Sequence, residues 1–186
     1  TASEADAIQA ISGYVGTASD YDITDTAAAL ISAGDDVLNV SGVDTVTVSG
    51  GPVLADTGEK LAQLSKDVEF DVLDNADNVA AEVTGSNGAG DLDEANAVVV
   101  SGGDVTASEA DAIQSISGYV GTASDYDITD TAAALISATD SVLNVTGVDI
   151  VTASDTSVDA KICLLYTSPR PRDLSAGRMT SSACKK

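Results

Sequence analysis

Histidine and tryptophan are absent from this 186-residue chain, which holds only 2 Cys, 1 Met and 1 Phe. Without His, and with both Cys near the C-terminus, imidazole general bases, Cys–His nucleophile pairs and imidazole or thiolate metal sites are excluded. Positive charge is scarce too: 8 Lys and Arg stand against 30 Asp and Glu, for a net charge of −22. Such a surface repels phosphate backbones and anionic headgroups, so nucleic acid is not expected as a partner. No apolar run approaches the ~18 residues of a bilayer-spanning helix, so membrane insertion is not expected either. Ala, Val and Ile fill the spaces between the acids, and hydrophobic residues reach 44% of the chain, enough to build a core.

From Cys163 onward the composition changes. Five of the 8 basic residues, both Cys and the only Met lie in residues 163–186. The string Cys163-Leu164-Leu165-Tyr166-Thr167-Ser168-Pro169 resembles one reading frame of a sequencing-library adaptor, and Arg178-Met179-Thr180-Ser181-Ser182-Ala183 resembles a primer site. Residues 163–186 are therefore read as a non-native, disordered tail and set aside, as a processing scar would be. The rival readings are a proline-rich ligand at 168–172 and a Cys163–Cys184 disulfide. Residues 1–162 keep 3 Lys and 29 acidic residues, a net charge of −26, with no Arg, Cys or Met. The chain starts at Thr1 without a visible signal peptide and is expected to be a fragment of a longer protein.

Residues 1–49 recur at 106–154 with six changes: Ala10/Ser115, Gly34/Thr139, Asp36/Ser141, Ser41/Thr146, Thr45/Ile150 and Val48/Ala153. A fainter copy lies between them, since Val46-Thr47-Val48-Ser49-Gly50-Gly51 matches Val98-Val99-Val100-Ser101-Gly102-Gly103, and residues 22–30 align on 71–79. Strands are expected to begin near Asp20, Val43, Val68, Asn96, Asp125 and Val148, a spacing that fits one strand plus one helix. Ile8, Ile11 and Val15, and likewise Ile113, Ile116 and Val120, recur at i, i+3, i+7 and predict an apolar helix stripe. Segments 43–49 and 97–101 are short and β-branched, and a turn is expected at the Gly-Gly that follows. The pattern predicts an α/β fold: a solenoid of strand–helix units of about 23–29 residues with a parallel sheet, open at both ends. Its partners would be neighbouring repeats of the same chain, and its exposed ends would associate end to end.

Ser3, Asp25, Asp56, Asp74, Ser108 and Asp130 precede or open each expected helix and suit N-caps. The alternative use of this acidity is a divalent cation. Stacking would bring Asp22, Asp25, Asp71, Asp74, Asp127 and Asp130 onto one edge, where mutual repulsion favours Ca²⁺. The loop 85–94 offers Asn87, Asp91, Asp93 and Glu94 as hard oxygen ligands, although its spacing fits neither the EF-hand nor the Gly-rich nonapeptide pattern. A solvated connecting loop is the competing reading. No acid pair is marked out for glycosidase chemistry, and repetition argues against a unique site, so no enzymatic activity is expected. Tyr14, Tyr21, Tyr119 and Tyr126 are expected to pack, the first of each pair ending a helix and the second opening a strand. Thr45, Thr47 and Thr152 could form an ice-binding row, but Val99 interrupts it.

Asp-Ile-Thr-Asp-Thr-Ala-Ala-Ala-Leu at 22–30 and 127–135, set among Val-Thr-Val strands and Ala/Asp-rich helices, resembles repeats of very large secreted or cell-surface bacterial proteins. The likeness covers residues 1–162. It implies an adhesin-like or surface-layer-like component with an unknown surface or cell partner, in an extracellular or cell-surface setting. Some such proteins also bind calcium. Independently, an acidic chain free of Arg and Cys over residues 1–162 suits a salty exterior, where counter-ions screen its charge.

Overall fold

The structure, a computed structural model, describes residues 1–85 and 91–155. The tail at 163–186 and Asn87 of the candidate loop lie outside the described residues. Within them the chain alternates helix and strand: α1 (Ala2–Gln9), β1 (Tyr21–Asp25), α2 (Ala27–Ala33), α3 (Asp35–Leu38), β2 (Val43–Val48), α4 (Ala55–Ala62) and β3 (Asp71–Asp74). There follow α5 (Ala76–Thr84), β4 (Ala97–Val105), α6 (Ala107–Ser115), β5 (Asp125–Asp130), α7 (Ala132–Ser137), α8 (Asp140–Leu143) and β6 (Val148–Ala153). Short 3₁₀ turns at Gly16–Ala18, Asp91–Glu94 and Gly121–Ala123 complete the connections.

All strand pairs are parallel, in a two-stranded sheet β1-β2 and a four-stranded sheet β3-β4-β5-β6. The order in space is therefore the order in the chain. Between the sheets, parallel bridges join Thr47 to Glu69 and Val53 to Val72, with Glu69 N–H donating to Val46 O at 2.8 Å and Val53 N–H to Asp71 O at 2.8 Å. Helices fill every connection because parallel neighbours cannot be joined by a tight hairpin.

One face of each strand packs on the helices. Ile23, Val46, Val72, Val98, Val100 and Ile128 are buried, as are Leu30, Leu61, Val79, Ala110, Ile113 and Leu135 from the helices. They form one continuous cluster running from Ala2 to Val142. Its members are mostly Ala, Val, Leu and Ile. The single Phe70 is buried within it.

Strand starts fall close to expectation, at Val43, Asp125 and Val148 without shift and within three residues elsewhere. Three local expectations need correction. First, the apolar stripes are not all helix: α1 ends at Gln9 and α6 at Ser115, leaving Ile11 and Val15, and Ile116 and Val120, outside. α1 is capped at Ala10 and the turn that follows contains Gly13 at φ +93°, while Ile116 is already extended at φ −59°, ψ 129°. Tyr14 and Tyr119 sit in that turn rather than on a helix end, their backbone N–H groups bonded to the carbonyls of Ile11 and Ile116.

Second, Gly102 and Gly103 lie inside β4. The strand bulges there, pairing Ser101 with Asp125 and Asp104 with Asp127, so the glycines supply the irregularity instead of ending the strand. Third, the N-caps are Thr1, Thr26, Leu54, Asn75, Thr106 and Thr131 for α1, α2, α4, α5, α6 and α7. Thr1 with Glu4 and Thr106 with Glu109 form capping boxes, so Ser3 and Ser108 fall two residues past the cap, as does Asp56 in α4. Asp25, Asp74 and Asp130 stand one residue before the cap and are used differently.

Candidate functional site

The recurrent polar feature is a carboxylate at the C-terminal end of a strand that bridges two consecutive helices. Asp25 Oδ1 accepts the backbone N–H of Thr26, the cap of α2, at 2.8 Å; its Oδ2 accepts the first N–H of α1, from Ala2, at 3.0 Å. Asp74 does the same for Asn75 and Ala55 at 2.8 and 3.0 Å, and Asp130 for Thr131 and Ala107 at 2.7 and 3.1 Å. Asp155 accepts from Ala132 at 2.6 Å. Each acid thus satisfies an orphan N–H of the helix before its strand, 19 to 23 residues back in the chain. The positive ends of two helices offset its charge. Asp74 is the most enclosed, 9% exposed, and a third bond from Asn78 Nδ2 at 2.8 Å completes its coordination. It also compensates for Leu54, an N-cap with no side-chain acceptor.

A second set of acids serves the strand ladder. β1 and β2 lose register between Tyr21 and Ile23, where β2 inserts one residue, and β5 and β6 repeat the irregularity between Tyr126 and Ile128. Asp22 Oδ1 accepts the N–H of Thr45 at 3.2 Å and also its hydroxyl; Asp127 Oδ1 accepts the N–H of Ile150 at 3.0 Å. These carboxylates satisfy the amide that a bulge removes from the ladder. Asp71 is exposed at the start of β3.

In the candidate loop, Asp91 begins the turn Asp91–Glu94, and Asp93 Oδ1 accepts the N–H of Ser117 at 2.7 Å. Glu94 is exposed beside Leu64, Ser65 and Asp67 in a shallow cleft of about 450 Å³. Among the described residues, no three acidic side chains converge closely enough to hold a metal ion. Of the six edge aspartates, Asp22, Asp25, Asp74, Asp127 and Asp130 are each engaged by a backbone N–H.

Where Gly50-Gly51 replaces the bridging acid, other polar groups join consecutive units. Asp35 accepts the N–H and hydroxyl of Ser65 at 2.8 and 2.7 Å, which hold its carboxyl below the ordinary carboxylate value. Lys66 Nζ donates to the carbonyls of Val43 and Asp44 at 2.9 and 2.7 Å. On the opposite flank, Gln9 Nε2 bridges Tyr21 OH and Val37 O, and Gln114 Nε2 bridges Tyr126 OH and Val142 O. Burial pushes the Tyr126 phenol well above its ordinary range. Tyr14 and Tyr119 donate to Ser41 O and Thr146 O at 2.9 and 3.2 Å. Thr47 donates to Glu69 at 3.0 Å. Sequence reasoning missed Asp155, the Asp35–Ser65 pair and the glutamine clasps. A constant spacing of 23 between Ala2 and Asp25, Ala107 and Asp130, and Ala132 and Asp155 was the available signal for the bridges.

The chemistry of this arrangement is attachment of one strand–helix unit to the next. No helix among the described residues is long and apolar enough to cross a membrane. Compared with protein-family models, curated proteins and solved structures, the chain finds no match.

Proposed function

We propose that residues 1–162 are a structural repeat segment, a spacer or adhesive stalk, of a large extracellular or cell-surface protein. In this reading the strand–helix units form an open-ended solenoid without enzymatic activity. The observation that carries it is the bridging aspartate, whose two oxygens serve the helix of one unit and the cap of the next. Joining, rather than substrate contact, is what the polar residues are used for. The all-parallel order of strands, each beside its chain neighbour, adds support, because such a layout extends by adding units. The proposed setting rests on the acidic composition, which a saline exterior would screen.

The test is dimensional. Chains carrying one, two and three copies of residues 1–105 should show a maximum dimension in small-angle X-ray scattering that grows in proportion to copy number. A dimension that grows only as the cube root of mass, as for a globule, would overturn the spacer reading.

A further inference from the structure

The two near-identical copies place the same side chains in different surroundings. In the second copy Ile113, Ile116 and Tyr126 are 0%, 4% and 1% exposed. Their counterparts Ile8 and Ile11 are 40% and 60% exposed, Val15 is 56% exposed, and Tyr21 is only half-buried. Beside the second copy lie α5, the turn 91–94 and β4. Val98 N–H donates to Gly118 O at 2.8 Å, Val120 N–H to Val98 O at 2.9 Å, and Val100 N–H to Ser124 Oγ at 3.0 Å, while Ser101, Asp104 and Val105 pair with Asp125, Asp127 and Ile128. Among the described residues, β1 has a strand on one side only. Its free side opens into a cleft of about 470 Å³ lined by Thr1, Glu4, Ile8, Tyr21 and Asp22 among others. In the second copy the counterparts Ile113 and Tyr126 are buried.

We propose that this open face, residues 1–25, is a docking site for one helix–strand unit with the sequence of residues 76–105, in the register seen at the junction with residues 106–130. The occupant is a unit in the same polypeptide, joined to Thr1 as Val105 is joined to Thr106. A second molecule could offer its own 76–105 unit only by releasing its own residues 106–130, which already cover it. The inference rests on the open-ended repeat reading above, and deepens it by naming what the open end takes. Both surfaces are acidic and lack Lys and Arg: six acids lie in 76–105 and five in 1–25. Added salt should therefore tighten the docking by screening.

The experiment adds a second copy of residues 50–105 ahead of Thr1 in the full chain and follows amide hydrogen exchange. The Val15 amide, counterpart of the Val120 donor, should gain at least tenfold protection and approach the rate of Val120; 0.5 M NaCl should enhance the protection. A Val98→Pro change in the added copy alone removes the donor to Gly13 O and should return Val15 to fast exchange. If Val15 exchanges as fast as in the unextended chain, the proposal is overturned, whether the added unit is folded or not. It is equally overturned if the unextended chain protects Val15 on concentration, because the partner would then be a second molecule. These readouts are independent of molecular length, so the docking can fail while the spacer reading stands, and the reverse.

Discussion

Residues 1–49 and 106–154 differ at six positions, and nearly everything local is the same in both. Each opens with a Thr–Glu capping box, closes a Gln–Tyr–carbonyl clasp, bulges at the same strand position and caps backwards with the same aspartate. What differs is exposure. Ile8 and Ile113 occupy equivalent helix positions, yet one is 40% exposed and the other 0%. Local sequence thus decides the unit, whereas burial of its apolar face depends on the unit stacked against it. One sequence change also alters a junction: Ile150 in place of Thr45 keeps the amide bond to the bulge aspartate and loses the hydroxyl bond.

The largest effect that separates the copies should come from truncating the paired isoleucines. Ile113→Ala creates a cavity in the core and should cost about 2–4 kcal/mol in urea melts, while Ile8→Ala should cost under about 1 kcal/mol. Equal costs would mean the first copy is covered in solution. Next, Asp74→Ala leaves two backbone amides and Asn78 without their charged acceptor and should cost about 2–3 kcal/mol, against about 1 kcal/mol for the half-buried Asp25. Thermal melts of both variants decide this.

A smaller difference is visible in pH titration. Ser65 holds the Asp35 carboxyl below its ordinary value of 3.8, so the stabilisation is complete above that value and is lost as pH falls through the lowered folded value. Ser65→Ala should move the Asp35 titration followed by NMR back up towards 3.8. No movement would show that the Ser65 hydroxyl bond does not form in solution. The smallest effect concerns calcium. With five of the six edge carboxylates engaged by amides, Ca²⁺ should raise the melting temperature no more than NaCl at matched ionic strength; a specific rise would favour the metal reading for the edge aspartates or the 85–94 loop.

The sequence made the α/β alternation legible because strand and helix recur at a nearly constant step, and the duplicated Val43 and Val148 starts were read without error. Helix ends were harder: Ile11 and Val15 continue the helical spacing although α1 has already ended at Gln9. The aspartates suit N-caps by sequence, but Asp25, Asp74 and Asp130 stand one residue before the cap and Asp56 lies inside α4, and the N–H groups that the first three accept from the preceding helix are hidden in the sequence. Asp25 serves α1 as well as the cap of α2, a relation that exists only once the unit has folded back on itself. The glutamine clasp was hidden for a similar reason, since Gln9 meets Tyr21 and Val37 from two different elements.

The placement of every strand beside its chain neighbour has a mechanical consequence. Tension applied between the first and last strands runs across the ladder rather than along it, so hydrogen bonds would open one after another instead of shearing together. Strand starts lie 22 to 28 residues apart. At about 3.5 Å per extended residue, each rupture would release roughly 75–100 Å of chain. A ladder opened from one end in this way would lengthen unit by unit under load.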